Sequence, residues 1–322
     1  MNPIGGYFSL ELNEGKELHS QALRLNAGRY ALEYILKVRS YRKVFVPYYI
    51  CESILQPIKR MGVEYEFYHI NEQFEPAVEL QPQDGEAVLY VNYFGLKNRF
   101  ASSFCKTYPN TILDQTQAFF SEPGSKNEDN TVRCDTFYSC RKFFGIPDGA
   151  YLYIDDKLNE ELPYDESFDR MSFLTKRIDR SPQEGYADFH ANDKSLSFVG
   201  MKRMSKLTEA MMRGIDYSTK ANKRIHNFQV LDKALRASNR FKWGIDDGAV
   251  PLVYPYYIKN GAKLRQKLID NQVFCARYWP NVMDWCEKSD WEYELVENLV
   301  CLPIDQRYGE EDMNQVLAII SM

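Results

Sequence analysis

The 322 residues carry a net charge of −5, with 44% hydrophobic and 26% charged residues, a length and balance that suit a globular two-domain protein. The acidic balance argues against nonspecific nucleic-acid binding, which needs clustered basic residues. Seven scattered cysteines with no CxxC pair favour a reducing cytoplasm, the start Met1-Asn2-Pro3-Ile4 lacks a signal-peptide layout, and the longest uncharged run, 248–258, is too short to span a membrane.

Between 23 and 38, Ala31, Tyr34, Ile35 and Val38 recur at helical spacing, with Asn26 the expected cap just before Gly28. A helix that starts after a small residue presents free backbone N–H groups, a setting that binds phosphate; an ordinary capped core helix leaves the same pattern. Residues 44–50 read as a buried strand, 53–60 as a helix, 63–70 and 87–94 as strands, 99–108 as a helix and 111–116 as another strand. Strands alternating with helices predict a mostly parallel α/β sheet with active residues at strand ends. Tyr49, just after Pro47, is a candidate to stack on a flat ligand, while a Tyr48-Tyr49 pair in a buried strand reads equally well as core. His69 closes a strand without a partner visible in the sequence.

The strand 111–116 carries a carboxylate, Asp114, with an amide, Gln117, three residues on. A polar stretch, 122–130, reads as a loop. Then come a β-like run at 135–140, Lys142, a glycine-bearing turn and a second run at 149–154, which fix an amine at the lip of a sheet. Phe143, Phe144 and Ile146 are expected to strip water from that amine and ease access to its neutral form. A neutral amine attacks an aldehyde to form a Schiff base, the entry step of pyridoxal phosphate chemistry; the other reading is a surface lysine beside a Phe-Phe core pair. Pyridoxal phosphate also needs an acid that keeps its pyridine nitrogen protonated. Asp114 suits that role and Gln117 is placed to bond the ring's phenolic oxygen, although a strand-end aspartate also serves as a turn or cap residue.

Residues 160–193 lack clean periodicity and read as a helix-poor crossing segment that lines the site. Residues 205–238 read as one long helical zone, with Leu207, Met211, Ile215, Ile225, Phe228, Leu231 and Leu235 as its core stripe and a bend at Gly214. Strands at 251–258, 274–279 and 298–304 and a helix at 262–271 make a smaller α/β unit. A last helix, 310–320, has acids in its first turn that complement the helix dipole. The expected division is a large domain, 1–237, and a small domain, 238–322.

In this order the segments resemble the sugar aminotransferases of the DegT/DnrJ/EryC1/StrS type, within the aspartate-aminotransferase (fold type I) superfamily. Asn26-Ala27-Gly28-Arg29-Tyr30-Ala31-Leu32 is similar to the family's Ser-Gly-Thr-x-Ala-Leu phosphate loop, and Val44-Phe45-Val46-Pro47-Tyr48-Tyr49 to its Val-Pro-x-Tyr strand. Leu113-Asp114-Gln115-Thr116-Gln117-Ala118 resembles its Asp-x-x-Gln-Ala block, and Asp148-Gly149-Ala150 its Gly-Asp/Glu-Gly-Gly block. The resemblance implies an α/β, fold type I enzyme with a large, mostly parallel sheet and a smaller C-terminal domain. It implies pyridoxal 5′-phosphate as cofactor and no metal. Lys142 and Asp114 would be catalytic, with Gly28, Arg29, Tyr49, Gln117 and Ser139 also binding the cofactor. It further implies glutamate as amino donor, a nucleotide-linked keto-sugar as acceptor, and a homodimer.

Three positions depart from the family pattern. Arg29 replaces a threonine, Met201 replaces an asparagine that reaches the neighbouring subunit's cofactor phosphate, and Ser139 stands three residues before the lysine, the spacing of the wider superfamily, rather than five. A lysine at 142, rather than the histidine of the deoxysugar dehydratases, favours transamination. Arg265 and Arg277 are candidates for gripping a substrate carboxylate, yet neither lies in a recognisable motif, and Tyr278-Trp279-Pro280 offers flat surface to a sugar ring or nucleobase. The alternatives are another pyridoxal-phosphate enzyme acting on a small keto acid and a non-catalytic member that keeps the fold for binding or regulation.

Overall fold

The computed structural model describes residues 4–125 and 132–322, so the end of the polar loop expected at 122–130 lies outside the described residues. The elements are β1 (Leu23–Leu25), α1 (Gly28–Arg39), β2 (Lys43–Pro47), α2 (Leu55–Arg60), β3 (Glu64–Tyr68), β4 (Glu86–Val91), α3 (Asn98–Thr107), β5 (Asn110–Asp114), β6 (Arg133–Ser139) and β7 (Ala150–Tyr153). There follow α4 (Ser172–Asp179), α5 (Pro182–Ser195), α6 (Lys206–Arg213), α7 (Tyr217–Leu235), β8 (Val253–Tyr257), α8 (Gly261–Asp270), α9 (Val282–Trp285), α10 (Trp291–Asn298), β9 (Leu299–Pro303) and α11 (Glu310–Ser321).

Strands β1 to β7 form one sheet in the order β1-β7-β6-β5-β4-β2-β3, in which β3, β2, β4, β5 and β6 run parallel and β7 runs against both β6 and β1. The central strand β4, Glu-Ala-Val-Leu-Tyr-Val, is buried along its whole length, as a strand covered on both faces must be. The edge strand β3 exposes Glu64, Tyr65 and Glu66, and the two acids discourage pairing with a further strand. A second, two-stranded antiparallel sheet, β8-β9, has α8 and α10 against β9 and α7 against β8, and α11 packs on α7 and α8.

The register puts several chain turns on one lip of the large sheet. Asp114 at the end of β5 pairs with Val91 of β4 and Phe137 of β6, and β6 runs on to Ser139. Ala150 of β7 pairs with Ser139 on one side and Leu25 of β1 on the other. The C-terminal ends of β1, β5 and β6 therefore share an edge, and α1 and the Lys142 turn leave from it. Ligands of open parallel sheets bind at such edges.

Several sequence expectations change. Asn26 does not cap α1: Ala27 holds the N-cap position, while the Asn26 amide donates to Asp165 at 3.2 Å and to the Gly200 carbonyl at 3.0 Å. The segment 160–193 contains helices α4 and α5, packed as a hairpin, where a helix-poor crossing was expected. Ser181 caps α5 by accepting from the Glu184 amide, with Pro182 opening its first turn. The long helical zone is two helices: α6 ends at Gly214, and Asp216 caps α7 by accepting from the Thr219 amide. No strand forms at 274–279, where only Ala276 makes a bridge, to Cys301. Cys105 of α3 and Cys134 of β6 are joined as a disulfide with Cα atoms 5.5 Å apart, a pairing that their separation of 29 residues hides in the sequence. Among the described residues no helix is long and apolar enough to cross a membrane.

Candidate active site

Lys142 closes a short turn, Cys140–Lys142, that caps β6. Its Nζ donates to the Thr116 hydroxyl at 2.9 Å, which links the lysine to the end of β5. The expected burial of this amine does not occur. Lys142 is exposed, whereas Phe143, Phe144 and Ile146 turn into the core, the two phenylalanines against Phe119 and Phe144 also against Tyr217. The apolar neighbours anchor the turn from beneath and leave the amine at the lip, open to a ligand.

Asp114 is buried behind Thr116. Its Oδ1 accepts from the Thr116 amide at 2.7 Å, and among the described residues no cation forms an ion pair with it. Burial pushes the carboxyl pKa up, an effect that the Lys142 charge and the Thr116 donors offset only in part. Gln117 is fully buried, and its Oε1 accepts from the Phe94 amide at 2.8 Å. Its Nε2 is buried without a partner among the described residues. A buried donor left unpaired costs about 1–3 kcal/mol, and a ligand acceptor at this edge would satisfy it.

Gly28 opens α1 against the same wall. A Cβ there would stand 3.5 Å from the Thr116 methyl and 3.8 Å from Phe137, so the helix start and the lysine amine meet on the same threonine. The first backbone bonds at this end run from Tyr30 and Ala31 to the Ala27 carbonyl, and Ala27 has no side-chain acceptor. The amides of Gly28 and Arg29 thus stand ahead of the helical ladder, as an anion site requires. Ser139, half-buried, ends β6 on this edge.

The structure brings Lys142, Asp114, Gln117, Gly28 and Ser139 to one edge, and Arg29 follows Gly28. It places Tyr49 elsewhere. That ring is fully buried beside Phe74, Tyr93 and Trp279, and its hydroxyl donates to the Tyr278 carbonyl at 2.5 Å, so no face is left for a ligand. His69 finds Glu292 at 3.1 Å. Arg277 is exposed and donates to the Val296 carbonyl, while burial, and after it repulsion from Arg277, push the Arg265 pKa down. Thr116 was not singled out from sequence, although it lies inside the block that holds Asp114 and Gln117.

No protein-family model and no curated protein matches the chain. Solved structures do. An aminotransferase of the DegT/DnrJ/EryC1/StrS type from Brucella abortus covers 93% of this chain and 85% of its own, with a TM-score of 0.58 at 16% identity. The aminotransferase TlmJ from Streptoalloteichus hindustanus covers 93% and 84%, with a TM-score of 0.64 at 14% identity. A Streptococcus pneumoniae protein assigned as a sugar aminotransferase, in its PLP form, covers 94% and 88%, with a TM-score of 0.60 at 13% identity. The fold is that of the DegT-type aminotransferases. The chain shares this fold at identities where sequence alone finds no match.

Proposed function

We propose that the protein is a pyridoxal-phosphate-dependent aminotransferase that moves an amino group from glutamate to a nucleotide-linked keto-sugar. The observation that carries this reading is the trio at the lip of β5 and β6: an exposed lysine amine on Thr116, a buried carboxylate without an ion-pair partner among the described residues, and a buried amide with a free Nε2. The group fits the residues present. Asp114 faces the need for a cationic ring nitrogen, Gln117 Nε2 the need for an acceptor such as the ring's phenolic oxygen, and the α1 amides the need for a phosphate.

Pyridoxal phosphate supplies, when bound, an aldehyde for amines and a ring that withdraws electrons from the substrate carbon. The protein's part is binding and proton traffic. Lys142 Nζ would hold the group through its aldehyde and, when free, would carry the proton at the substrate carbon. Asp114 keeps a proton on the pyridine nitrogen, and Gln117 fixes the ring's rotation. Thr116 steers the lysine. Phosphate contacts fall to Ser139 and to the Gly28 and Arg29 amides.

The acceptor reading rests on Arg277 directing its Nε to a backbone carbonyl, which leaves Arg265, whose Nη1 is buried without a partner among the described residues, as the competing candidate to grip a substrate carboxylate. It is tested in single turnovers from the aminated cofactor, using a panel of nucleotide-linked keto-sugars, oxaloacetate and pyruvate. Faster discharge by a keto-sugar is expected; faster discharge by a simple keto acid than by every sugar tried would move the protein out of the sugar branch.

A further inference from the structure

Two guanidiniums stand near the candidate site, Arg29 in the first turn of α1 and Arg141 beside Lys142, and Ser197 and Asp193, which bond them, lie four residues apart at the end of α5. Arg29 is the second residue of the helix, and its Nη1 donates to Gln56 Oε1 at 2.7 Å and to Ser197 Oγ at 2.5 Å. Arg141 immediately precedes Lys142, and its Nη1 donates to Asp193 Oδ1 at 3.0 Å. Burial pushes the Arg29 pKa down; Asp193 opposes this through space, and repulsion from Arg141 adds to it. Nε of Arg141 is buried and has no partner among the described residues.

Asp193 and Ser197, which hold these arginines, sit at the end of α5 and just after it. That end is tied to the lysine turn, because the buried Asn192 amide donates to the Pro147 carbonyl at 2.8 Å. The result is a pair of half-buried guanidiniums, one of them with a buried Nε left unpaired among the described residues, held beside the residue that carries the site lysine and near the start of α1. An unpaired guanidinium N–H beside a second guanidinium and free helix amides suits an anion.

We infer that Arg29 and Arg141 form a two-guanidinium grip on the phosphate of the cofactor, taking the place of the threonine hydroxyl that the family pattern puts at position 29, with Asp193 holding Arg141, and Gln56 and Ser197 holding Arg29, in position until the phosphate arrives. The inference rests on the proposed cofactor reading and adds to it a residue, Arg141, and a division of labour. The lysine and Asp114 serve the ring, and the two arginines serve the phosphate alone. Charge-assisted bidentate bonds suit a phosphate, and an arginine holds that geometry where a lysine offers only a point charge.

The test compares two ligands that differ only in the phosphate. Full-length protein freed of cofactor is titrated with pyridoxal phosphate and with pyridoxal, following absorbance and tryptophan fluorescence, for wild type, Arg29→Ala, Arg141→Ala and Asp193→Asn. Each arginine truncation is expected to weaken pyridoxal phosphate about 10- to 100-fold, in line with the removal of one or two hydrogen bonds to a charged group, and to leave pyridoxal within about threefold. Asp193→Asn, which removes the competing charge, is expected to tighten pyridoxal phosphate and leave pyridoxal alone. Inorganic phosphate is expected to compete with the cofactor in wild type and to compete less in either truncation. Arg29→Lys and Arg141→Lys keep the charge and guard against misfolding; they are expected to fall between wild type and alanine. Equal weakening of both ligands would make the arginines scaffold, and an unchanged preference for the phosphorylated ligand in both truncations would refute the grip. Wild type that binds the cofactor without modifying Lys142 would instead refute the cofactor reading itself.

Discussion

His19 offers a sharp test of the packing beneath the candidate site. It is buried among Phe119, Tyr138, Tyr151 and Tyr153, its Nε2 donates to the Phe119 carbonyl at 2.7 Å, and its Nδ1 lies 3.1 Å from the Tyr153 hydroxyl. Phe119 follows Gln117 by two residues and Tyr138 precedes Ser139, so this imidazole braces both arms of the site. Burial lowers its pKa from 6.5 to about 4, against a smaller opposing effect of the Phe119 bond. The folded pKa lies below the unfolded one, so the unfolded chain binds the proton first. The protein therefore loses stability as pH falls below 6.5, and the loss is complete below about pH 4. Between about pH 7.5 and about pH 5 the cost is about 2 kcal/mol from this one residue. His19→Gln keeps a donor for Phe119 and does not titrate. Urea unfolding of wild type and variant across that range should show wild type losing about 2 kcal/mol relative to His19→Gln, because other titrating groups cancel in the difference. A difference that stays flat with pH would show that His19 is solvated, and would refute the packing of residues 119, 138, 151 and 153 around it.

Asp114→Asn is expected to lower turnover about 10²–10³-fold, and Gln117→Ala much less, because only the first removes the charge that keeps a proton on the ring; near-normal kcat in Asp114→Asn would make the carboxylate structural. Gly95→Ala is expected to cost about 2 kcal/mol or more in urea unfolding, since its φ is +70° and a Cβ would meet the backbone oxygens of Val250 at 2.9 Å and Gln117 at 3.1 Å. An unchanged urea midpoint would refute the close approach of these three segments. The resemblance to interface-sited aminotransferases leads us to expect a symmetric homodimer, and a concentration-independent monomer in light scattering would count against it.

The parts legible in the sequence were those whose signal is local. Strands β2, β4 and β5 announce themselves as short apolar runs, and α1 and α11 by periodicity and end chemistry. Helices α4 and α5 did not, because they pack on each other at the surface: α5 buries only Gly185 and Asn192, and α4 buries nothing, so no apolar stripe was needed. The cap at Ser181-Pro182 was the available signal for α5. Residues 274–279 looked like a strand through their aromatic and apolar content, but Phe274 is exposed and Pro280 stops the run, so the aromatics fill gaps between elements instead.

At the site, residue types were legible and directions were not. Lys142, Asp114 and Gln117 could be nominated from spacing and strand ends, and the fold brings them to one edge. That Phe143 and Phe144 turn away from the lysine, and that Tyr49 belongs to the core, depend on which face of the chain the sheet covers. Arg141 finds its partner in α5, and Arg29 finds one just after α5 and another in α2, each far away in sequence, so no local pattern connects them.

The central claim is that Lys142 is the residue that takes the cofactor. Purified protein saturated with pyridoxal phosphate, reduced with borohydride and digested, should yield a single modified peptide by mass spectrometry, with the added mass on Lys142 and the visible absorption lost on reduction. Modification of Lys176 or Lys202 in its place, or protein that stays colourless and unlabelled, would contradict the account.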